Sequence, residues 1–172
     1  GRRVVRAGLA GLEGRGPATR LTGLMLQQLA FPEGDHQRPG DRRATIEALK
    51  STLYAGRPVD LARFAPLAFL AEGDEVADQI IDGAVTGLAA TLSSLLLPSE
   101  SGPIVFGGGV LAHQESLAEL ILAKIGASAG SREVHVVSDG LAGAALLALR
   151  SREVAGRETF DRIHATLALA RQ

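Results

Sequence analysis

Hydrophobic residues recur at helical spacing through the first hundred positions of the chain. In the segment 2–13 the apolar positions are Val4, Val5, Leu9 and Leu12, and a spacing of three to four residues is typical of one buried face of an α-helix. The same spacing predicts four further helical segments, over residues 19–29, 41–54, 61–72 and 75–97. The first part of the chain is therefore expected to be helical throughout.

Each predicted helix has apolar residues that should lie in a core. In the second, third and fifth segments these are Leu21, Leu24, Met25, Leu29, Ile46, Leu49, Leu53, Tyr54, Val76, Ile80, Ile81, Ala84, Leu88, Leu92, Leu95 and Leu96. The long fifth segment also carries several Gly and Ala residues, which would let a neighbouring helix or sheet approach closely.

Short polar residues predict where these helices begin. Thr19, Asp60 and Asp74 each precede a helical segment, and their side-chain oxygens can accept hydrogen bonds from the free amides of a first helical turn. Pro66 lies inside the fourth segment and should kink it or split it at Ala65, since proline lacks the backbone N–H that a helix needs.

The pattern changes after Gly102. The expected order becomes strand, helix, strand, helix over residues 103–107, 113–126, 133–137 and 139–150, with a last helix over 158–171. In the first of these helices Leu117, Leu120, Ile121 and Ile125 have helical spacing. Strands joined through a helix indicate a parallel pair, and because two strands are too few for a sheet, further strands are expected outside this sequence or from another chain.

The predicted fold class is therefore α/β with an incomplete sheet. The chain is expected to divide into a helical part, 1–100, and a strand–helix–strand–helix part, 101–172. A length of 172 residues suits one domain or a domain with an appendage.

Composition and charge exclude several classes of protein. The chain has no Cys, so disulfides, thiolate zinc sites, iron–sulfur clusters and thiol nucleophiles are excluded. A formal net charge of -1 and an aromatic content of 3% argue against a nucleic-acid partner. Neither a signal peptide nor a membrane-spanning stretch is visible, so a cytoplasmic location without a membrane partner is expected. The absence of an initial Met suggests a fragment or a processed chain.

Residues with catalytic or metal-binding chemistry are scattered. The segment 32–40 holds Glu33, Asp35 and His36, but without a second His or a regular scaffold it is better explained as a surface loop than as a metal site. His135 lies in an apolar strand, where a structural histidine with satisfied hydrogen bonds is expected. The other histidines, His113 and His164, have no metal-ligand spacing.

Nucleophilic and phosphate-binding motifs are absent as well. Ser116 and Ser138 lack the sequence context of a nucleophile elbow, and helix capping explains Asp74 and Asp139 without catalysis. Neither a P-loop nor a GxGxxG motif occurs in the sequence.

Two glycine-marked helix starts remain as candidates for a site. Gly107, Gly108 and Gly109 follow the first strand, and a second cluster around Gly140 and Gly143 follows the second strand. Ligands of open α/β layers bind beyond the carboxyl ends of the strands, and both clusters should lie there. An ordinary strand-to-helix corner is the alternative interpretation of the triple glycine.

These segments resemble a known family. The stretch FGGGVL, followed by SDGLAGAALLALR, is similar to the C-terminal lobe of the BadF/BadG/BcrA/BcrD-type ATPases and N-acetylglucosamine kinases, in the actin-like ATPase and sugar kinase superfamily. Two upstream segments agree: GRRVVRAGLAGLEGRGPATRLTGLML resembles the helical segment after the family's sugar-site stretch, and APLAFLAEGDEVADQIIDGAVTGLA resembles its "apolar helix, Gly-Asp, long helix" signature.

The resemblance implies a ribonuclease-H-like lobe that closes with a second lobe around ATP, Mg²⁺ and an amino sugar. Gly107, Gly108, Gly109 and Val110 would then pass beside the adenine or ribose, where a side chain would occupy the nucleoside's space. Gly140, Ala142 and Gly143 would belong to a connecting helix that packs between the lobes at the hinge.

The chain also departs from the family. The N-terminal phosphate loop, the catalytic aspartate, the second phosphate loop and the sugar-site stretch are absent, so no residue here can be named as catalytic base, magnesium ligand or sugar ligand. The expected function is the adenosine-binding part of an ATP-dependent amino-sugar kinase, inactive alone. Two alternatives are a non-catalytic interaction or dimerisation module, and an ATPase that drives electron transfer, against which the missing cluster-ligating cysteines argue.

Overall fold

The structure is a computed structural model that describes residues 1–31, 39–96, 102–137, 140–150 and 156–169. The described chain is mostly helical, with one two-stranded parallel sheet that does not close. It divides into two compact units, Gly1–Thr91 and Leu92–Gln172. The expected loop site at Glu33, Asp35 and His36 lies outside the described residues.

The first unit is entirely helical. Its α-helices are α1 (Arg2–Glu13), α2 (Arg20–Gln28), α3 (Pro39–Tyr54), α4 (Leu67–Leu70) and α5 (Glu75–Leu95), and a 3₁₀ helix covers Pro58–Phe64. α5 begins in this unit and ends just beyond its boundary. α1 contacts α2, α3 and the 3₁₀ helix, so it is the central element of this unit.

The predicted face of α1 is the buried one. Val4, Val5, Leu9 and Leu12 are all buried, in a core with side chains from α2, α3, the 3₁₀ helix and α4. The helix ends where Gly14 adopts a left-handed conformation with φ 72°, which costs glycine little because it has no Cβ.

The break at Pro66 is confirmed, but the first half of that segment is not an α-helix. The 3₁₀ helix ends at Phe64, and α4 follows Pro66 directly. Asp60 does not begin this element as expected: it lies inside the 3₁₀ helix, and its carboxylate accepts a hydrogen bond from the Arg57 backbone N–H at 2.8 Å.

Two predicted core faces are partly wrong. Tyr54, at the last turn of α3, is 65% exposed, although Leu49 and Leu53 of the same helix are buried. In α5 the buried residues are Ala77, Val85 and Ala89. The expected Ala84, Leu88 and Leu95 are exposed, whereas Val76, Ile80 and Ile81 pack half-buried at the edge of the core. The small residues of α5 thus supply its buried stripe, and the larger side chains flank it.

The second unit contains the predicted strand and helix order, with an additional short helix directly after the glycine turn. Its elements are β1 (Ile104–Gly107), α6 (Gly109–His113), α7 (Glu115–Ile125), a 3₁₀ helix at Gly126–Ala129, β2 (Val134–Val137), α8 (Leu141–Arg150) and α9 (Arg157–Leu169). β1 and β2 pair in parallel, with Ile104 opposite Val134 and Gly107 opposite Val137. The predicted parallel pair is therefore confirmed.

The strands are less buried than their apolar composition suggested. β1 alternates, with Ile104 and Phe106 buried and Val105 56% exposed. All four residues of β2 are exposed, including His135, whose ring lies 3.5 Å from the carboxylate of exposed Glu133. His135 therefore lies at the surface, and among the described residues the structural role expected for it is limited to this contact with Glu133.

α7 has one apolar face, but it is narrower than predicted. Leu117, Ile121 and Ile125 are buried as expected, together with Ala118, whereas Leu120 is 48% exposed.

No helix in the described part of the chain is long and apolar enough to cross a membrane.

Candidate functional site

The triple glycine lies at the carboxyl end of the parallel strand pair. Gly107 is the last residue of β1 and pairs with Val137, the last residue of β2. α6 begins at Gly109 and contacts both strands. The two strands therefore end at the same edge of the sheet, and the glycine turn covers part of that edge.

The three glycines differ in what the backbone requires of them. A Cβ on Gly107 would lie 3.3 Å from a methyl carbon of Val137, so the paired strand crowds this position. Gly108 has φ 103° and ψ 155°, a region of backbone conformation that is essentially restricted to glycine. Gly109 has neither constraint: its φ is not positive, and a Cβ there would meet no atom of the described residues within 4 Å.

The turn is open on the side where a ligand would approach. All three glycines are exposed, and Val110 is 42% exposed at the second position of α6. Built Cβ atoms on Gly108 and Gly109 both point into open space. Among the described residues, the backbone of this turn is therefore accessible at the edge of the sheet.

The last two residues of α6 form hydrogen-bonding contacts with the glycine turn. The backbone N–H of Ala112 donates to the carbonyl of Gly108 at 2.9 Å, and His113 Nδ1 lies 2.8 Å from the carbonyl oxygen of Gly109. His113, which had no assigned role from its spacing, therefore contacts the candidate turn.

The second glycine cluster begins α8. Gly140 is exposed just before Leu141, and Gly143 is half-buried one turn later. Among the described residues, a Cβ on Gly143 would meet no atom within 4 Å, so the close packing that its size would permit is not found at this position. Ser138, Asp139 and the side chain of Ala142 lie outside the described residues.

The described part of the chain holds no group of three or more His, Asp or Glu residues that could bind a metal ion. His113, His135 and His164 are exposed in different elements, and Ser116 is exposed near the start of α7. Asp74 is the buried acidic residue, and it caps α5 by accepting a hydrogen bond from the Ala77 N–H at 3.0 Å. Capping, as predicted, accounts for it.

Sequence reasoning missed a groove between α1 and α5 in the first unit. Its volume is about 380 Å³, and it is lined by Arg3, Arg6, Ala7, Val76, Gln79 and Ile80. On each helix the lining residues recur three or four positions apart, and this pattern is already present in the sequence. It could be recognised only by knowing that these two helices line the same groove.

Comparison with known proteins adds no relative. No family model, no curated protein and no solved structure matches this chain.

Proposed function

We propose that this chain is the C-terminal, adenosine-binding part of an ATP-dependent amino-sugar kinase of the BadF/BadG and N-acetylglucosamine kinase type. In this proposal the chain belongs to a ribonuclease-H-like lobe, and the acceptor is N-acetylglucosamine or glucosamine. The protein acts in the cytoplasm, and the chain is inactive without the lobe that carries the phosphate loops. The resemblance of FGGGVL and SDGLAGAALLALR to that family is the reason for naming this chemistry.

The observation that carries the proposal is the open space at Gly109. Strand pairing accounts for glycine at Gly107, and the positive φ accounts for it at Gly108. Neither reason applies to Gly109, the first residue of α6. Gly109 follows the carboxyl end of the strand pair, unlike the equally open Gly156, so its exposed backbone is accessible to a ligand at the edge where α/β layers bind ligands.

The chain's own part in the reaction is binding and orientation. When bound, ATP supplies the phosphoryl group that is transferred to a sugar hydroxyl. The turn formed by Gly107, Gly108, Gly109 and Val110 holds the nucleoside end, which positions the distant phosphates for attack. Magnesium ligands and the catalytic base are assigned to the other lobe.

One observation favours a second function, an interaction or dimerisation module. Four valines of the sheet are at least 39% exposed; they are Val105, Val134, Val136 and Val137. Two parallel strands are rarely stable as an open sheet, so a further strand or a second copy of the chain would stabilise this surface.

Nucleotide titration separates the two functions. ADP or ATP should bind the chain weakly in calorimetry, without phosphorylation of an amino sugar. Gly109→Val should weaken this binding about tenfold or more, since the new side chain fills the nucleoside's space while its Cβ meets no described atom within 4 Å.

Gly156→Val is the matched control. Gly156 is also exposed directly before a helix, α9, and a Cβ there would also meet nothing within 4 Å. Its replacement should leave nucleotide binding unchanged. If the chain binds no nucleotide and ultracentrifugation shows a concentration-dependent dimer, the interaction module is the better account.

A further inference from the structure

The groove between α1 and α5 is built from two facing stripes. Arg3, Arg6 and Ala7 follow helical spacing on α1, and Val76, Gln79 and Ile80 follow the same spacing on α5. Its floor is apolar, because Ala7, Val76 and Ile80 are partly buried against the core of the first unit. A volume of about 380 Å³ lies within the range of small-molecule sites.

Neither cationic side chain of the groove is paired with an acidic residue that the structure describes. Arg3 and Arg6 lie one turn apart on α1, and neither forms an ion pair or hydrogen bond with any residue in the described ranges. Arg57 of the same unit, in contrast, contacts Asp60. Two like charges on neighbouring turns repel each other, so an anion between them would be stabilised.

The position of Arg3 depends on a glycine of the facing helix. A Cβ on Gly83, one turn beyond Gln79 and Ile80 in α5, would overlap Nη1 of Arg3. The missing side chain thus leaves room for the guanidinium to lie across α5. This places one guanidinium at the α5 side of the groove.

We propose that this groove binds a phosphate monoester of a small organic molecule. A monoester carries a charge between about −1.5 and −2 at neutral pH, which matches the two guanidinium groups, and each guanidinium can donate two parallel hydrogen bonds to phosphate oxygens. A carboxylate has one charge and would leave one arginine unneutralised.

The rest of the groove selects the organic part of the ligand. Ala7, Val76 and Ile80 offer an apolar surface for a hydrocarbon portion. Gln79 donates its Nε2–H to Glu75 at 3.2 Å, so its side-chain carbonyl remains as an acceptor for a ligand hydroxyl. Inorganic phosphate satisfies only the arginines and should bind more weakly than an organic monoester.

The test is calorimetric titration of the full chain with phenyl phosphate, inorganic phosphate and benzoate. Phenyl phosphate should give saturable binding below about 10 mM, tighter than either of the other probes. Arg3→Gln and Arg6→Gln should each weaken it about tenfold or more. Arg2→Gln is the matched control, because Arg2 is exposed on the same helix but does not line the groove.

Any of the following results would overturn the proposal. If phenyl phosphate binding does not saturate, the groove is not a binding site. If Arg2→Gln weakens phenyl phosphate binding as much as Arg3→Gln does, binding is due to the diffuse charge of α1. Equal affinity for benzoate refutes the phosphate class, and equal affinity for inorganic phosphate refutes the organic part. Ala7→Leu gives a test that keeps both charges: it should weaken phenyl phosphate more than inorganic phosphate by narrowing the apolar floor.

This proposal is independent of the nucleoside site. Gly109→Val should leave phenyl phosphate binding unchanged, and Arg3→Gln should leave the binding of adenosine, which carries no phosphate, unchanged. Either proposal can therefore fail while the other stands.

Discussion

The hydroxyl of Thr19 donates a hydrogen bond to the carboxylate of Asp74 at 3.0 Å, which links the N-caps of two helices 55 residues apart in sequence. Asp74 also accepts hydrogen bonds from the backbone N–H groups of Arg20 at 2.6 Å and Ala77 at 3.0 Å. One buried carboxylate thus satisfies free amides at the starts of both α2 and α5. This arrangement joins the two helices through their ends.

Replacing Asp74 should strongly destabilise the protein. Asp74→Ala removes an acceptor shared by three donors, and we expect the free energy of unfolding to fall by about 3 kcal/mol. Urea denaturation measures this change. Asp78→Ala is the control, because Asp78 is exposed in the first turn of the same helix and should cost less than about 0.5 kcal/mol. Equal losses in both variants would contradict the shared-cap interpretation.

The same carboxylate makes stability depend on acid pH. Burial raises the pKa of Asp74, and hydrogen bonds from Arg20, Ala77 and Thr19 lower it. The lowering effect is the larger one, so the pKa of Asp74 lies below its ordinary value of 3.8. A carboxyl group with a lowered folded pKa stabilises the fold above its unfolded pKa, and this stabilisation is lost as pH falls through the folded value.

The free energy of unfolding should therefore decline below about pH 4. Urea midpoints recorded from neutral pH to about pH 2.5 test this, and Asp74→Ala should show a shallower decline than the parent chain. Part of the decline will remain in that variant, because the pKa of Glu13 is lowered too. Identical slopes in the two proteins would exclude Asp74 as the source.

The pKa of Glu13 should change more when Lys50 is replaced than when Arg15 is replaced. The Lys50 ammonium donates to the Glu13 carboxylate at 2.7 Å, and this hydrogen bond is the main cause of the lowered pKa of Glu13, ahead of the contact with Arg15. Lys50→Met should raise the pKa of Glu13 towards its usual range, and Arg15→Met should raise it less. NMR titration of the Glu13 side-chain carboxyl measures both, and the reverse order would refute the assignment.

The backbone of Gly108 should tolerate no side chain without cost. At φ 103° and ψ 155°, Gly108→Ala should lower the free energy of unfolding by about 1–3 kcal/mol. Gly140→Ala serves as the control, since Gly140 has no positive φ and a Cβ there meets nothing within 4 Å. Thermal denaturation monitored by circular dichroism compares them, and an unchanged midpoint in Gly108→Ala would show that the turn relaxes.

The inward face of α3 can be tested with one pair of substitutions. Leu49 is fully buried in the core and Tyr54 is 65% exposed. Leu49→Ala should cost about 3 kcal/mol, whereas Tyr54→Ala should change the free energy of unfolding by less than about 0.5 kcal/mol. Urea denaturation of both variants tests which face of α3 is buried. A large loss of unfolding free energy in Tyr54→Ala would show that Tyr54 lies on the buried face.

Local signals predicted most of the elements, because their causes are local. The cap at Thr19, the break at Pro66 and the alternation of strand and helix after Gly102 all depend on residues close in sequence. The face of α5 was harder to predict. Leu88 and Ala89 are adjacent, and the choice of burying the smaller one depends on how closely neighbouring elements approach.

The sequence by itself determined the helical first part, the parallel strand pair and the position of the glycine turn. Spacing, capping residues and turn residues act within a few positions, so they can be recognised without a structure. Only the tertiary structure showed that Asp74 joins two helix starts, that Arg3 and Arg6 face Gln79 across a groove, and that Gly109 has open space beside it. Each of these depends on the distance between residues far apart in the chain, which packing decides.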